Sequence, residues 1–204
     1  MTIDSYMHKT AAGKSGGPLL FVFHGTGGDE NQFLGLGRDL MPEATIVAPR
    51  GDVSEHGAAR YFRRTSEGVY DMDDLARGTA KMAGFINAHV SDKSPSSVIG
   101  LGYSNGANIL TSVLFAEPDL FDAAVLMHPL IPFEPRVDGH LRDTKVLVTA
   151  GRRDPICPQP QTLALEQKLR KLGATVETFW HDGGHEIRQG EIVATEAFLS
   201  AWRD

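Results

Sequence analysis

The sequence predicts an α/β fold in which a mostly parallel central sheet carries helices on both faces. Three observations predict it. Short apolar runs rich in Val, Ile and Leu alternate with longer stretches of helical period, the signature of strand and helix alternation. Most of these runs are apolar throughout rather than alternating, as strands covered on both faces are. The length of 204 residues, with 41% apolar and 23% charged side chains, matches one ordinary globular domain spanning 1–204. A chain of this size buries roughly 70% of its unfolded surface, so a core can form without disulfides or metals.

In chain order, an edge strand is expected near residues 5–9, and residues 18–24 and 45–48 read as buried strands. A weaker helix over 30–40 is interrupted by Gly35 and Gly37. Residues 50–69, with Gly51, Gly57 and Gly68, form the longest irregular region, and an unstructured loop of about 20 residues is uncommon enough to suggest function. Over 71–90, Leu75, Met82, Phe85 and Ile86 recur at helical spacing behind an acidic start that suits the positive end of a helix dipole. Strands at 97–103, 123–127 and 145–150 follow, and 175–180 alternates more, as a strand nearer an edge does. Helices are expected at 105–115, 161–172 and 186–202. No internal repeat, low-complexity segment or linker is visible.

Charge and composition exclude several function classes. Twenty basic against 26 acidic side chains give a net charge of −6, and no long stretch is dominated by Lys and Arg, which argues against a nucleic-acid binder. The lone cysteine, Cys157, has no internal disulfide partner, and the N-terminus lacks a basic then apolar leader, so a cytoplasmic location is expected. The longest apolar runs, 19–23 and 123–127, fall far short of the ~20 residues needed to cross a bilayer, so no membrane span is expected.

The chemistry concentrates around Gly102-Tyr103-Ser104-Asn105-Gly106. In a chain with 22 glycines a Gly-x-Ser-x-Gly string is weak evidence by itself. Its context is stronger: the string follows a buried strand and opens a helix, which puts Ser104 on the sharp turn where a nucleophile elbow needs it. The helix N-terminus beside it supplies unpaired N–H groups that favour negative charge. The competing reading is a turn serine that caps a helix.

A serine hydroxyl needs a base to take its proton and a carboxylate to orient that base. Asp154 follows the strand at 145–150, whereas Asp138 and Asp143 precede that strand and belong to the opposite sheet edge. His185 follows the strand at 175–180, and Gly183 and Gly184 let its loop fold back toward the serine. The order Ser, Asp, His suits this arrangement. His181 is the rival base, placed at the end of its strand. His24 and His128 also end strands on the active edge, with His24 expected to brace its loop. His181 and His185 stand four apart, yet no third zinc ligand or HExxH pattern accompanies them, and no metal is expected. The oxyanion of a tetrahedral intermediate needs donors, and losing one costs on the order of 3 kcal/mol of barrier. The backbone N–H groups of Asn105 and Thr26 are the candidates. The loop His24-Gly25-Thr26-Gly27-Gly28 fails as a dinucleotide fingerprint because position 30 is Glu30 rather than glycine.

Through His24-Gly25-Thr26-Gly27-Gly28-Asp29-Glu30, Gly102-Tyr103-Ser104-Asn105-Gly106-Ala107, Gly151-Arg152-Arg153-Asp154-Pro155-Ile156 and Gly183-Gly184-His185, the chain resembles the phospholipase/carboxylesterase family of the α/β-hydrolase superfamily, in its bacterial carboxylesterase-like subgroup. The four blocks keep their order across nearly the whole chain. Many members carry Gln after the nucleophile where this chain has Asn105; the contribution expected of Asn105 is a backbone N–H, which the difference leaves in place. Dienelactone hydrolase relatives use a Cys nucleophile where this chain has Ser104, and Cys157 lies in a different loop.

The resemblance implies a minimal α/β-hydrolase fold and hydrolysis of carboxylic esters or thioesters through an acyl-enzyme, without a cofactor. It also implies weak homodimers. Only seventeen residues separate Met127 from Lys145, so no separate cap domain is expected. Candidates for the rim of an open substrate pocket are Phe33, Tyr61, Phe62, Met127, Leu130, Ile131, Phe133 and Ile156, each of which could equally be local core. Arg60, Arg63, Arg64, Arg152 and Arg153 either make the approach positive or form a solvated surface. Small and medium acyl esters are the expected substrates. Two alternatives stand beside this reading: a lysophospholipase or acyl-protein thioesterase-like enzyme, and a protein of the same fold that binds a small molecule without turning it over.

Overall fold

The computed structural model describes residues 2–135, 137 and 139–203, which leaves Asp138 outside the described residues. The elements run β1 (His8–Ala11), β2 (Leu19–Phe23), α1 (Leu34–Leu40), β3 (Thr45–Pro49), β4 (Val53–Glu55), β5 (Ala58–Arg60), β6 (Arg64–Ser66), β7 (Val69–Tyr70), α2 (Met72–Lys93), β8 (Val98–Tyr103), α3 (Asn105–Ala116), β9 (Ala123–Met127), β10 (Lys145–Gly151), α4 (Gln159–Lys171), β11 (Thr175–His181) and α5 (Gln189–Leu199), with a 3-10 turn over Ser200–Trp202. The main sheet has the order β1-β3-β2-β8-β9-β10-β11. β1 is antiparallel to β3 and every other pairing in it is parallel.

Burial on both faces explains why the inner strands read as unbroken apolar runs. In β2, Leu19, Phe21 and Phe23 join Met82, Phe85 and Ile86 of α2 and Leu165 and Leu169 of α4 on one face. Leu20 and Val22 turn to the other face, toward Leu40 of α1 and Phe198 and Leu199 of α5. Asp71 caps α2 by accepting from the Asp74 N–H, so the acidic start does act at that helix terminus.

Four expectations change. The helix expected over 30–40 begins at Leu34, after a turn in which the Gln32 N–H donates to the Asp29 carbonyl at 3.1 Å. The edge strand begins at His8, not Ser5, because the Ser5 N–H closes a turn onto the Thr2 carbonyl at 3.1 Å. The last helix starts at Gln189, not Glu186, because Glu186 instead accepts from the Gly184 N–H at 3.0 Å and folds the preceding loop back. The region at 50–69 is not irregular: it folds into two antiparallel hairpins, β4 with β5 and β6 with β7. Among the described residues there is no separate cap domain, and no helix is long and apolar enough to cross a membrane.

Candidate active site

The sheet order places a crevice at its own reversal. From β2 the chain passes to neighbouring β3, and from β8 it passes to β9 on the other side, so the loops leaving β2 and β8 diverge at the carboxyl ends of the strands. The loop from His24 to Gly28 and the turn bearing Ser104 face one another across that gap.

Ser104 has φ 52° and ψ −116°. A non-glycine residue held at such a positive φ costs ~1–3 kcal/mol. The turn is pinned from both sides: the Ser104 N–H donates to the Met127 carbonyl and the Asn108 N–H donates to the Ser104 carbonyl, each at 2.9 Å. Close approach dictates the flanking glycines. A Cβ on Gly102 would stand 2.5 Å from the Gly106 carbonyl oxygen, and one on Gly106 would stand 2.3 Å from the Phe23 carbonyl oxygen. Gly106→Ala is therefore expected to lower stability by about 2 kcal/mol or more through backbone displacement. Urea unfolding measures it, and an unchanged midpoint would show that α3 can move away from β2 at little cost.

His185 Nε2 lies 2.9 Å from Ser104 Oγ, and His185 Nδ1 lies 2.7 Å from Asp154 Oδ2. The three residues thus converge from the ends of β8, β10 and β11. Asp154 Oδ1 accepts the N–H groups of Ile156 at 2.8 Å and Cys157 at 3.0 Å, which fixes the carboxylate plane. Burial works against the charge on Asp154, but the His128 and His185 rings and the Cys157 N–H hold its carboxyl far below the usual range. The Tyr103 hydroxyl donates to the His185 carbonyl at 2.7 Å and ties that loop to β8. Burial raises the Tyr103 hydroxyl to about 12, so it stays a donor.

The other histidines are committed elsewhere. His24 Nε2 accepts from the Gly51 N–H at 2.9 Å, which leaves its Nδ1–H to donate to the Gly25 carbonyl at 2.7 Å. Burial lowers the pKa of His24, and this neutral ring braces the loop as its position suggests. His181 Nδ1 accepts from the Gly183 N–H at 3.0 Å, and its Nε2 faces Glu191 Oε2 at 3.2 Å. That ring addresses Glu191, whereas His185 is the ring beside Ser104. Behind Asp154, His128 completes the cluster: Nδ1 is 2.8 Å from Asp154 Oδ2 and Nε2 is 3.0 Å from Glu191 Oε1. His128, His181 and Glu191, and likewise His128, Asp154 and His185, bring ligand-type atoms within 4.8 Å of one another.

A cavity of about 250 Å³ opens beside Ser104 and His185, with Thr26 and Asn105 on its wall. Its remaining walls are mainly polar and come largely from the two hairpins: Arg60, Arg64, Glu67 and Tyr70, facing Asn108 of α3. Arg60 Nη1 donates to Thr26 Oγ1 at 2.6 Å, which fixes the loop from His24 to Gly28 to β5. Arg64 pairs with Glu55 at 2.9 Å, so these cations are partly neutralised in place. Tyr70 and Asn108 form a floor, with the Asn108 amide donating to the Tyr70 hydroxyl at 2.8 Å and that hydroxyl donating to the Leu130 carbonyl at 2.6 Å.

Of the apolar residues expected at the rim, Leu130 and Ile156 line the cavity. Phe33, Tyr61, Phe62, Met127, Ile131 and Phe133 do not. Tyr61 and Phe62 are buried outright in the core against β2 and α2, Met127 and Phe33 belong to the opposite core face, Ile131 is buried in the same core cluster as Tyr61 and Phe62, and Phe133 lies over the α2–α3 groove. Apolar side chains near the sheet edge go to the core first, which leaves the cavity to residues that can be wet. Tyr70 and Asn108 are absent from the expected site for that reason, whereas Arg60 and Arg64, two of the arginines considered for the approach, do line the cavity.

Comparison with known proteins places the chain. A family model for the dienelactone hydrolase family matches residues 56–191, a span that holds Ser104, Asp154 and His185. The chain belongs to the dienelactone hydrolase family. The Bacillus subtilis (strain 168) protein MhqD is 39% identical over 175 residues, which covers 85% of this chain and 88% of that one. The crystal structure of Atu2452, a protein of unknown function from Agrobacterium tumefaciens str. C58, superposes with a TM-score of 0.95 at 62% identity over 99% of both chains. A carboxylesterase of Bacillus cereus superposes with a TM-score of 0.91 at 33% identity, over 96% of this chain and 94% of that one. The fold of this dienelactone hydrolase family member is therefore that of its carboxylesterase neighbours, as the resemblance to α/β-hydrolases implied.

Proposed function

We propose that the chain is a serine esterase in which Ser104 is the nucleophile, His185 the general base and Asp154 the residue that orients it. The observation that carries this reading is the unbroken contact from Ser104 Oγ to His185 Nε2 at 2.9 Å and from His185 Nδ1 to Asp154 Oδ2 at 2.7 Å. In this scheme Ser104 Oγ attacks the ester carbonyl while its proton passes to His185 Nε2. The N–H groups of Asn105 and Thr26, neither paired with another backbone group among the described residues, receive the oxyanion. The alcohol leaves with the proton from His185, and water then releases the acyl group by the same path. Treatment with a fluorophosphonate followed by mass spectrometry tests the reading. The adduct is expected on Ser104, and an adduct on Cys157 or on another serine overturns it. Burial raises the Cys157 thiol well above its ordinary range, so that side chain is a poor competitor.

The cavity also sets the expected substrate size. At about 250 Å³ and closed by the Tyr70, Asn108 and Leu130 floor, it rewards the first few carbons of an acyl chain and then ends. Each methylene it buries contributes ~0.8 kcal/mol at most. Esters of roughly C2 to C8 acids are expected to give the highest kcat/KM, with long-chain lysophospholipids poor and no rate jump at a lipid interface. An acyl series checks this. Values still rising beyond about C12 would reveal an apolar channel that the hairpins do not close.

A further inference from the structure

His128 lies behind the triad with its side chain wholly buried between two carboxylates. Its Nδ1 is 2.8 Å from Asp154 Oδ2, the oxygen that His185 Nδ1 also uses, and its Nε2 is 3.0 Å from Glu191 Oε1. A bare ring nitrogen at either place would set a lone pair against a carboxylate oxygen. The doubly protonated ring donates to Asp154 from Nδ1 and sets its positive edge beside Glu191, where Nε2 and Oε1 stand close without the alignment of a hydrogen bond. The backbone is constrained as well, since His128 has φ 51°, a strained value for a non-glycine residue and one that persists where the surroundings over-determine it.

The carboxylate beyond the ring is itself held in place. Glu191 Oε1 accepts from Thr149 Oγ1 at 2.6 Å, and Glu191 Oε2 accepts from the Arg188 N–H at 2.7 Å and faces His181 Nε2 at 3.2 Å. The His181, His185 and Tyr103 rings close around His128 with centroids 5.4, 5.1 and 5.9 Å away, and Cys157 donates to the His128 carbonyl at 3.1 Å.

We infer that His128 is a standing imidazolium and a positioning residue, acting on the reaction through Asp154 and setting how far into acid the site works. The inference rests on the serine-esterase reading above. Shared between two rings, Asp154 Oδ2 is held in place and its charge is partly spent on His128. A cation already stands beside His185, so a second positive charge there is disfavoured. The acid limb of the rate profile therefore lies at lower pH than it would with a neutral residue at position 128. Burial alone would lower the pKa of His128, but its hydrogen bond to Asp154 and the Glu191 charge outweigh burial and carry it up to about 9.

The test is His128→Asn. Asn tolerates positive φ better than most residues and can still donate an amide N–H toward Asp154, but it carries no charge. With Ser104 still taking the phosphonate label, the acid limb of kcat/KM is expected to move up by about one pH unit. In the unaltered protein, ¹⁵N NMR is expected to show both His128 ring nitrogens in the imidazolium pattern at pH 7, with the proton lost near pH 9. An acid limb that stays in place in a reactive variant overturns the proposal, as does a neutral-imidazole pattern at pH 7. If the variant does not fold, the spectrum of the unaltered protein decides. Failure of Ser104 to label in the unaltered protein strikes the esterase reading instead.

Discussion

Ser104→Ala is expected to reduce kcat on a short acyl ester by about a millionfold, with KM little changed. In the proposed scheme the residual rate comes from the oxyanion donors and from binding, which the substitution leaves in place. The fold should survive. The only side-chain hydrogen bond found for Ser104 among the described residues is the one to His185, and the positive φ at position 104 is held by the Met127 and Asn108 backbone contacts, which do not involve the hydroxyl. Initial rates and the urea midpoint of the variant measure both halves of the expectation. Activity within tenfold of the unaltered protein would remove Ser104 from the chemistry.

Asp154→Asn is expected to cost about 10⁴-fold in kcat, because the amide offers His185 the wrong partner and so the wrong tautomer. In this chain the same change should also weaken the fold. His128 would keep only Glu191 against its charge, and breaking a buried ion pair from one side costs about 3–5 kcal/mol. The sign of the pH dependence separates the two effects. His128 has its pKa raised in the fold, so its contribution to stability is complete below its unfolded value near 6.5 and is lost as pH rises through about 9. The stability gap between Asp154→Asn and the unaltered protein should therefore narrow in mild alkali, while the deficit in kcat remains. A gap independent of pH would mean that Asp154 holds the loop at 154–157 only through its contacts with the Ile156 and Cys157 N–H groups.

Much of this arrangement is legible in the sequence, because it depends on local pattern. Strands buried on both faces, such as Leu19–Phe23 and Ala123–Met127, show their status in composition alone. The elbow is written in two glycines whose Cβ atoms would meet backbone, and Asp154 and His185 are found by asking which residues follow the carboxyl ends of strands. What escaped notice depends on partners distant in the chain. The hairpin strands are three residues or fewer, mostly polar, and show no period that propensity could reveal. Glu191 gives no sign of burial from its place in α5, since its partners Thr149 and His128 lie 42 and 63 positions away. The expected pocket residues failed for a related reason: hydrophobicity marks a side chain as wanting cover, and near a sheet edge the core supplies it.

The paired hairpins between β3 and α2 have a bearing on how the site could diversify. They are anchored at their bases: the Tyr61 N–H donates to Asn105 Oδ1 at 2.9 Å, the Tyr61 hydroxyl donates to the Pro49 carbonyl at 2.9 Å, and the Arg63 N–H donates to Asp74 at 2.7 Å. The tip of the first hairpin is open, and at Gly57 an added Cβ would meet nothing within 4 Å. A wall rooted beside Ser104 and unencumbered at its crest can be lengthened, shortened or recoloured by insertion at His56–Gly57 without disturbing the residues that hold the Ser104 turn. On the serine-esterase reading proposed above, a graft confined to those crests should transplant substrate preference while leaving turnover chemistry where it was.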